Sequence, residues 1–290
     1  MAKLLVIPWN KEQLYTTISY ADAYLIGIKD LSVNTCFYSK EEMIELIHLL
    51  KENNKEIFIA LNKNMHNKDL PYLKEIMLWL EEQNINGIFY YDIALVEIKQ
   101  TLQLKTPLVW AQEHLTTNAC SANFWYQEGV IYMYVSAEIT KDEIIELKKS
   151  SSMKLIVPMF GYIPMFASKR HLIKNYLEKF SLEDNSNYYY LQKEGKEYPI
   201  IDNKNGTFVY SGNILNGIYE YSFLKDNTID YATLNGFFIS NETFTTILQK
   251  FKTVNDENKK QYEEEIDALF SNIDRGFLYK ETIYKVKKNG

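Results

Sequence analysis

The sequence predicts an α/β fold, an eight-stranded parallel TIM-like (β/α) barrel with an inserted β-hairpin before the last strand and a short C-terminal appendage. Short β-rich apolar runs alternate with segments of helical period from the first residues onward. Seven such runs precede a tyrosine-rich interruption, and an eighth follows it. No Gly-x-Gly-x-x-Gly or Walker-type loop follows any run, which favours a closed barrel over an open nucleotide-binding sheet.

The first seven strands are predicted at residues 4–9, 22–29, 56–62, 87–91, 107–113, 129–136 and 154–160. Their nearly continuous apolar character is typical of parallel strands that are buried on both faces. Two of the helices between them have a capping box at their start, formed by Ser39 with Glu42 and by Thr140 with Glu143. These signals fix where the two helices begin.

The regular alternation stops after a helix predicted at 168–180, for which Ser168 is the expected cap. Asn205-Gly206 between alternating apolar runs predicts a hairpin, so an antiparallel insertion is expected at about 185–212. The βα pattern then returns with a helix at 214–224, a strand at 229–234 and a helix at 240–254. We therefore assign residues 1–254 to the barrel and 255–290 to an appendage with a charged helix at 256–270 and an edge strand at 279–288.

The composition is typical of an ordinary folded protein and argues against several other classes of protein. Hydrophobic residues make up 46% of the chain and charged residues 24%, as in ordinary folded proteins. The net charge of -6 argues against nucleic-acid binding through the overall field, although a local basic patch is still allowed. The two cysteines, Cys36 and Cys120, cannot form a disulfide framework. The apolar run at 4–8 is too short for a signal or membrane segment, so a cytoplasmic protein without membrane contact is expected.

Polar residues at the carboxyl ends of the predicted strands form the candidate site, because barrel active sites lie at that end. We predict Glu138 and His114 as catalytic residues. Substrate binding is predicted for Arg170, Lys29, Asn62, Asp92, Gln112 and Asn235. Tyr91 and Glu113 belong to the same strand-end set without an assigned role. Arg170 and Arg275 are the two arginines of the chain, and their planar forks suit a carboxylate or phosphate.

Common catalytic motifs do not occur in this sequence. There is no His-Glu-x-x-His, no Cys-x-x-Cys and no Gly-x-Ser-x-Gly, and the four histidines are scattered. We therefore predict no metal site and no conventional protease nucleophile. For each strand-end residue a local structural role, such as a helix cap, remains an alternative to a functional one.

The segment 156–177 resembles the signature of the collagenase-like, or U-32, peptidases, with Gly161, Ser168, Asn175 and Tyr176 in register. Segments 21–27, 135–139 and 197–207 resemble further motifs of that family in the same order. The chain departs from the family at Pro164 and His171, where members have cysteines. Members with those cysteines hold an iron-sulfur cluster, so the resemblance implies no cluster, and no other cofactor, here.

Within the family, segment 156–177 and the tail resemble the shorter, cysteine-poor members linked to bacterial tRNA wobble-uridine hydroxylation. That resemblance implies three partners: a longer cysteine-containing homologue, tRNA, and a small anionic metabolite such as prephenate. Two alternatives stay open. One is a peptidase, a hydrolase like the collagenase-like protease of the family's name, and the other is a non-catalytic scaffold for the homologue.

Overall fold

The computed structural model describes residues 1–184, 186, 188–226 and 228–280. In chain order the strands are β1 (Lys3–Ile7), β2 (Ala23–Ile28), β3 (Phe37–Tyr38), β4 (Glu56–Leu61), β5 (Gly87–Tyr90), β6 (Leu108–Trp110), β7 (Tyr132–Tyr134), β8 (Lys154–Gly161), β9 (Pro164–Ser168), β10 (Tyr189–Lys193), β11 (Lys196–Asn203), β12 (Gly206–Tyr210), β13 (Ile214–Asn216), β14 (Tyr231–Asn235) and β15 (Ile273–Asp274).

The α-helices are α1 (Lys11–Thr17), α2 (Lys40–Glu52), α3 (Leu70–Glu82), α4 (Ala94–Leu102), α5 (Ala119–Gln127), α6 (Lys141–Ser150), α7 (Leu172–Phe180), α8 (Ile218–Leu224), α9 (Asn241–Thr253) and α10 (Lys259–Asp267). A 3-10 turn at Glu113–Leu115 follows β6. Both predicted capping boxes, at the starts of α2 and α6, are confirmed.

Eight parallel strands close into a barrel, which confirms the predicted fold. The strand order is β1, β2, β4, β5, β6, β7, β8 and β14, and β14 pairs with both β8 and β1. Near the amino ends of the strands, the barrel interior is filled by aromatic rings that meet edge to face. The Phe58 ring lies 5.7 Å from that of Tyr132 and 5.2 Å from that of Tyr231. The barrel is therefore a packed core that is open to ligands only at its ends.

A second, antiparallel sheet lies outside the barrel, in the order β10, β11, β12, β9. The predicted hairpin is present between β11 and β12, with Asn203 opposite Gly206. The sheet is larger than the predicted hairpin because residues from Pro164 onward already pair with β12. Helix α7 consequently begins at Leu172 and not at residue 168. Ser168 therefore does not cap it, and its hydroxyl accepts a hydrogen bond from the Arg170 amide instead (3.2 Å).

The C-terminal appendage packs against the barrel. Helix α10 is shorter than the predicted 256–270, and β15 pairs in parallel with β13, which in turn pairs with β8. The predicted edge strand at 279–288 lies, from residue 281 onward, outside the described residues. In the described part of the chain, no helix has both the length and the apolar character needed to cross a bilayer.

Candidate functional site

Two cavities open at the carboxyl end of the barrel, and β9 contributes residues to both. The first, of about 300 Å³, is called here the apolar cavity and is lined by Tyr134, Pro158, Ile163, Tyr198, Leu215 and Phe277. The second, of about 270 Å³, is called the polar cavity and is lined by Asn34, Asn62, Lys63, Lys169, Asn205 and Phe208. Glu113, His114, Pro164 and Met165 line both. The four shared residues make this end of the barrel one divided site.

Glu113 lies where the two cavities meet. It begins the 3-10 turn after β6, and its amide donates to the Ala111 carbonyl (3.0 Å), which holds the turn in place. Its half-buried carboxyl group forms a hydrogen bond with the hydroxyl of Tyr91, the residue that follows β5. A titratable group that is reached from both cavities is the natural proton carrier of this site.

Burial raises the pKa of the Glu113 carboxyl above its usual range. The Tyr91 hydrogen bond and the nearby His114 oppose this shift, and the Glu138 carboxylate adds to it. Burial likewise raises the pKa of the Tyr134 phenol to about 12, while its hydrogen bond to Thr233 acts in the opposite direction. The pocket around Glu113 therefore favours neutral groups, and a raised carboxyl pKa lets the residue hold a proton closer to neutral pH.

His114 and Glu138, the two residues predicted to be catalytic, lie together on the rim of the apolar cavity. The His114 Nδ1 is 3.4 Å from the Glu138 Oε1, and both side chains are about half exposed. The Glu138 backbone amide also donates to the hydroxyl of Ser136 (3.2 Å). This pair is more solvated than Glu113, so its charges are better screened.

Four of the six predicted substrate-binding residues use their polar atoms to brace loops at the strand ends. The Asn62 amide bonds to both backbone groups of Val33, and the Asp92 carboxylate accepts from the amides of Met65 and Ala94.

Gln112 bridges the Trp110 indole (2.9 Å) and the Tyr91 carbonyl (2.5 Å). Buried Asn235 donates to the Tyr162 carbonyl (2.9 Å) and accepts from the Phe237 amide (3.0 Å). Of these four residues, only Asn62 also lines one of the two cavities.

The two predicted cationic ligands lie outside both cavities. Lys29 is exposed at the end of β2, and Arg170 is exposed in the loop between β9 and α7. Within the described residues, neither side chain forms an ion pair. Arg275, in contrast, binds Glu263 and Asp267 of α10 and has a structural role.

Sequence reasoning placed Glu113 and Tyr91 at strand ends but gave them no role. The available signal was their position after neighbouring strands, β6 and β5, which brings the two side chains to the same edge. Asn34, Asn205 and Lys169 were missed because all three lie in loops, two of which adjoin strands of the second sheet. Nothing in their local sequence indicates that they share a cavity.

The chain's residues do not fit an iron-sulfur cluster, the cofactor that the resemblance associates with cysteine-containing members. Such a cluster takes about four protein ligands, mainly cysteine thiolates. Cys36 lies beside Tyr38, with its Sγ 2.9 Å from the phenol oxygen, and Cys120 is exposed on α5. His171 forms a 2.9 Å contact with the Asp202 carboxylate. In the described residues no group of three or more His, Cys, Asp or Glu side chains is arranged to hold a metal ion.

Comparison with known proteins finds one matching family model, two relatives and one similar solved structure. A family model described as peptidase family U32 matches residues 9–287. The tRNA hydroxylation protein P2 of Bacillus subtilis (strain 168) is 25% identical over 305 aligned residues, which cover 97% of this chain and 99% of that protein. The tRNA hydroxylation protein P1 of the same organism is 24% identical over 178 residues, 60% of this chain and 42% of its own. The solved structure of the U32 peptidase Mk0906 matches with a TM-score of 0.53 at 12% identity and covers 81% of this chain and 92% of that one.

Proposed function

This chain belongs to peptidase family U32, and we propose that it acts as a subunit in tRNA wobble-uridine hydroxylation, without an iron-sulfur cluster of its own. The single observation that carries the proposal is the match to tRNA hydroxylation protein P2 over 97% of this chain and 99% of that protein. The alignment therefore runs through the barrel, the second sheet and the C-terminal appendage of this chain. A longer family member, of the kind that P1 represents, is the proposed partner.

The site at the barrel mouth suits such a reaction. Hydroxylation of a base replaces a C–H bond by a C–O bond, which is a two-electron oxidation: the base loses a proton and two electrons and gains an oxygen. In our proposal an oxidising second reactant or the partner homologue accepts the electrons and supplies the oxygen, and a residue of this chain handles the proton. Glu113 has a raised pKa and faces both cavities, which makes it the group best placed to take up or deliver that proton. The apolar cavity has room for a small second reactant beside it. We propose the small anionic metabolite that the resemblance implies, with its charge at Lys196 and Lys280, which also line the cavity, and its uncharged part towards Glu113.

The peptidase alternative has less support in the geometry of the mouth. A serine or cysteine protease needs a nucleophile within hydrogen-bond reach of a base. Within the described residues, His114 hydrogen-bonds to no hydroxyl or thiol, and the acidic side chain that pairs with it is Glu138. Turnover of generic or collagen-like peptides by the pure protein would favour this alternative over ours.

The test is nucleoside analysis of tRNA by mass spectrometry in a strain that lacks the gene. We expect hydroxylated uridine to disappear, and to return when the unaltered gene is restored. Glu113→Gln should lower the modification about a hundredfold, because general acid–base catalysis contributes about that much or more. Glu146→Gln, an exposed carboxylate on α6, is the matched control and should restore modification fully.

Two outcomes would count against the proposal. Unchanged tRNA nucleosides in the deletion strain would refute the assignment to tRNA hydroxylation. Full modification with Glu113→Gln would refute the role of Glu113 and favour the scaffold alternative, in which this chain supports a catalytic homologue.

A further inference from the structure

Two asparagines on the wall of the polar cavity each use one amide atom internally and leave the other without a partner. The Oδ1 of Asn34 accepts a hydrogen bond from the Tyr210 hydroxyl (3.0 Å), and the Nδ2 of Asn205 donates to the Ser32 carbonyl (3.1 Å). Within the described residues, the Asn34 Nδ2 and the Asn205 Oδ1 form no hydrogen bond. The cavity therefore offers one donor and one acceptor from neighbouring loops.

The internal partner fixes the orientation of the Asn205 amide. A backbone carbonyl only accepts hydrogen bonds, so the Asn205 NH₂ group must face Ser32 and its oxygen is left over. Asn62 lines the same cavity but has both amide atoms bound to Val33, so it offers no free group. Asn34 and Asn205 thus differ from a purely structural asparagine in the same wall.

Lys169 supplies a positive charge at the same cavity without an acidic partner. Its Nζ contacts the Asn64 carbonyl (3.2 Å) and the His66 Nε2, both of which are uncharged acceptors when the imidazole is neutral. Lys63, on the same wall, is instead paired with Asp69 at 3.2 Å. The charge of Lys169 is therefore the one available to an anion.

We infer that the polar cavity binds one unpaired pyrimidine nucleotide of an RNA, with its base on Asn34 and Asn205 and its phosphate on Lys169. The edge of a pyrimidine presents neighbouring hydrogen-bond donors and acceptors, and single-stranded RNA is read through such edges and through stacking. Phe166 and Phe208 add aromatic surface to the same cavity. The inference rests on the proposed function and deepens it by naming the part of the tRNA that enters.

The position of the base follows from the shared wall. Glu113 and Tyr91 line the polar cavity as well, so a base seated there lies against the candidate proton carrier. The apolar cavity, which shares Pro164 and Met165 of β9 with the polar cavity, stays free for the second reactant. Two cavities that meet at one acid suit a reaction between two substrates.

The test measures tRNA affinity of the full chain by fluorescence anisotropy at several salt concentrations, alone and with the longer homologue. We expect Asn34→Ala and Asn205→Ala each to weaken binding about tenfold at every salt concentration. Lys169→Ala should lower the slope of log K against log salt by about one, since one phosphate contact is lost.

Matched controls come from outside the site. Asn123→Ala removes an amide that also holds backbone, at Ser150 and Ser152, and Lys105→Ala removes an exposed charge at the opposite end of the barrel. Both controls should bind tRNA like the unaltered protein. Thermal unfolding is measured for every variant. If an asparagine variant fails to fold, the exposed Lys169 variant still decides the question.

The outcomes separate this inference from the proposed function. If deletion of the gene removes the modification but both asparagine variants restore it fully and bind tRNA normally, only the nucleotide site is refuted. An unchanged salt slope for Lys169→Ala, or no tRNA binding by the unaltered protein in either condition, also overturns it. If deletion leaves the tRNA nucleosides unchanged, the proposed function itself fails.

Discussion

The Arg275 guanidinium binds the Asp267 carboxylate through two parallel hydrogen bonds, Nη1 to Oδ1 at 3.0 Å and Nη2 to Oδ2 at 2.7 Å. Its Nε donates to the Glu263 carboxylate at 2.6 Å. Both carboxylates belong to α10, and Arg275 directly follows β15. The Arg275 side chain therefore links the segment after β15 to α10. The same segment contributes Phe277 to the lining of the apolar cavity.

Arg275→Lys should lower the free energy of unfolding by about 1–2 kcal/mol, because an ammonium cannot reproduce a planar two-point contact. Lys260→Met on α10 is the control, since the Lys260–Glu264 pair is long (4.0 Å) and exposed and should contribute less than about 0.5 kcal/mol. Denaturant unfolding measures both. Equal losses for the two variants would contradict the structural role of the fork.

Glu113→Gln should change the pH dependence of stability. Burial raises the folded-state pKa of Glu113, so this group contributes stability below its unfolded value of about 4.3 and loses it as pH rises through the folded value. The variant should therefore gain stability relative to the unaltered protein as pH rises from acid to neutral. Melting temperatures across that pH range test this, with Glu146→Gln as the control. If the difference in melting temperature between Glu113→Gln and the unaltered protein does not change with pH, the prediction is wrong.

Gly206→Ala should disrupt the contact between β9 and β12. Gly206 has a φ of +120°, and an added Cβ would lie 1.9 Å from the Ser168 carbonyl oxygen. Gly129→Ala is the matched control, because Gly129 also has a positive φ (+85°) but open space around it. We expect the control to cost about 1 kcal/mol for backbone strain and Gly206→Ala clearly more.

Because β9 lines both cavities, Gly206→Ala should also lower tRNA modification, and Gly129→Ala should not. Unfolding free energies and nucleoside analysis measure the two effects. If the two variants have similar free energies of unfolding and support similar tRNA modification, the close approach of Gly206 to the Ser168 carbonyl affects neither property.

The protein purified without oxygen should contain no stoichiometric iron or acid-labile sulfide. Two cysteines are present, and the resemblance implies that cysteines of other members are replaced here by Pro164, in β9, and by His171, which contacts Asp202. Metal analysis and visible absorption test this, before and after an attempted reconstitution with iron and sulfide. A coloured preparation with near-stoichiometric iron would prove the prediction wrong.

Arg170→Lys and Arg170→Ala should both fold like the unaltered protein, within about 0.5 kcal/mol, because the side chain is exposed and has no ion pair within the described residues. The predicted anion-binding role stays a prediction: Arg170→Lys should reduce tRNA modification, since it loses the two-point fork. Lys105→Ala is the surface control. Full modification with both Arg170 variants would refute a role in anion binding.

Local patterns in the sequence determined most of the fold. The alternation of apolar runs and helical periods gave the eight barrel strands, and Ser39 and Thr140 marked helix starts that the structure reproduces. These features depend on residues close in sequence, so they can be predicted without tertiary contacts. The extent of the second sheet could not, because Pro164–Ser168 becomes a strand only by pairing with β12, about forty residues later.

The sequence alone predicts a candidate site at the carboxyl ends of the barrel strands, but only the tertiary structure decides which polar atoms of its residues are available to a ligand. The polar atoms of Asp92 and Gln112 form hydrogen bonds with neighbouring groups at the strand ends, whereas Glu113 lines both cavities. Asn34 and Asn205 acquire their free amide atoms from contacts with Tyr210 and Ser32. Which polar atoms remain available is set by partners far apart in the chain, and no local pattern records those partners.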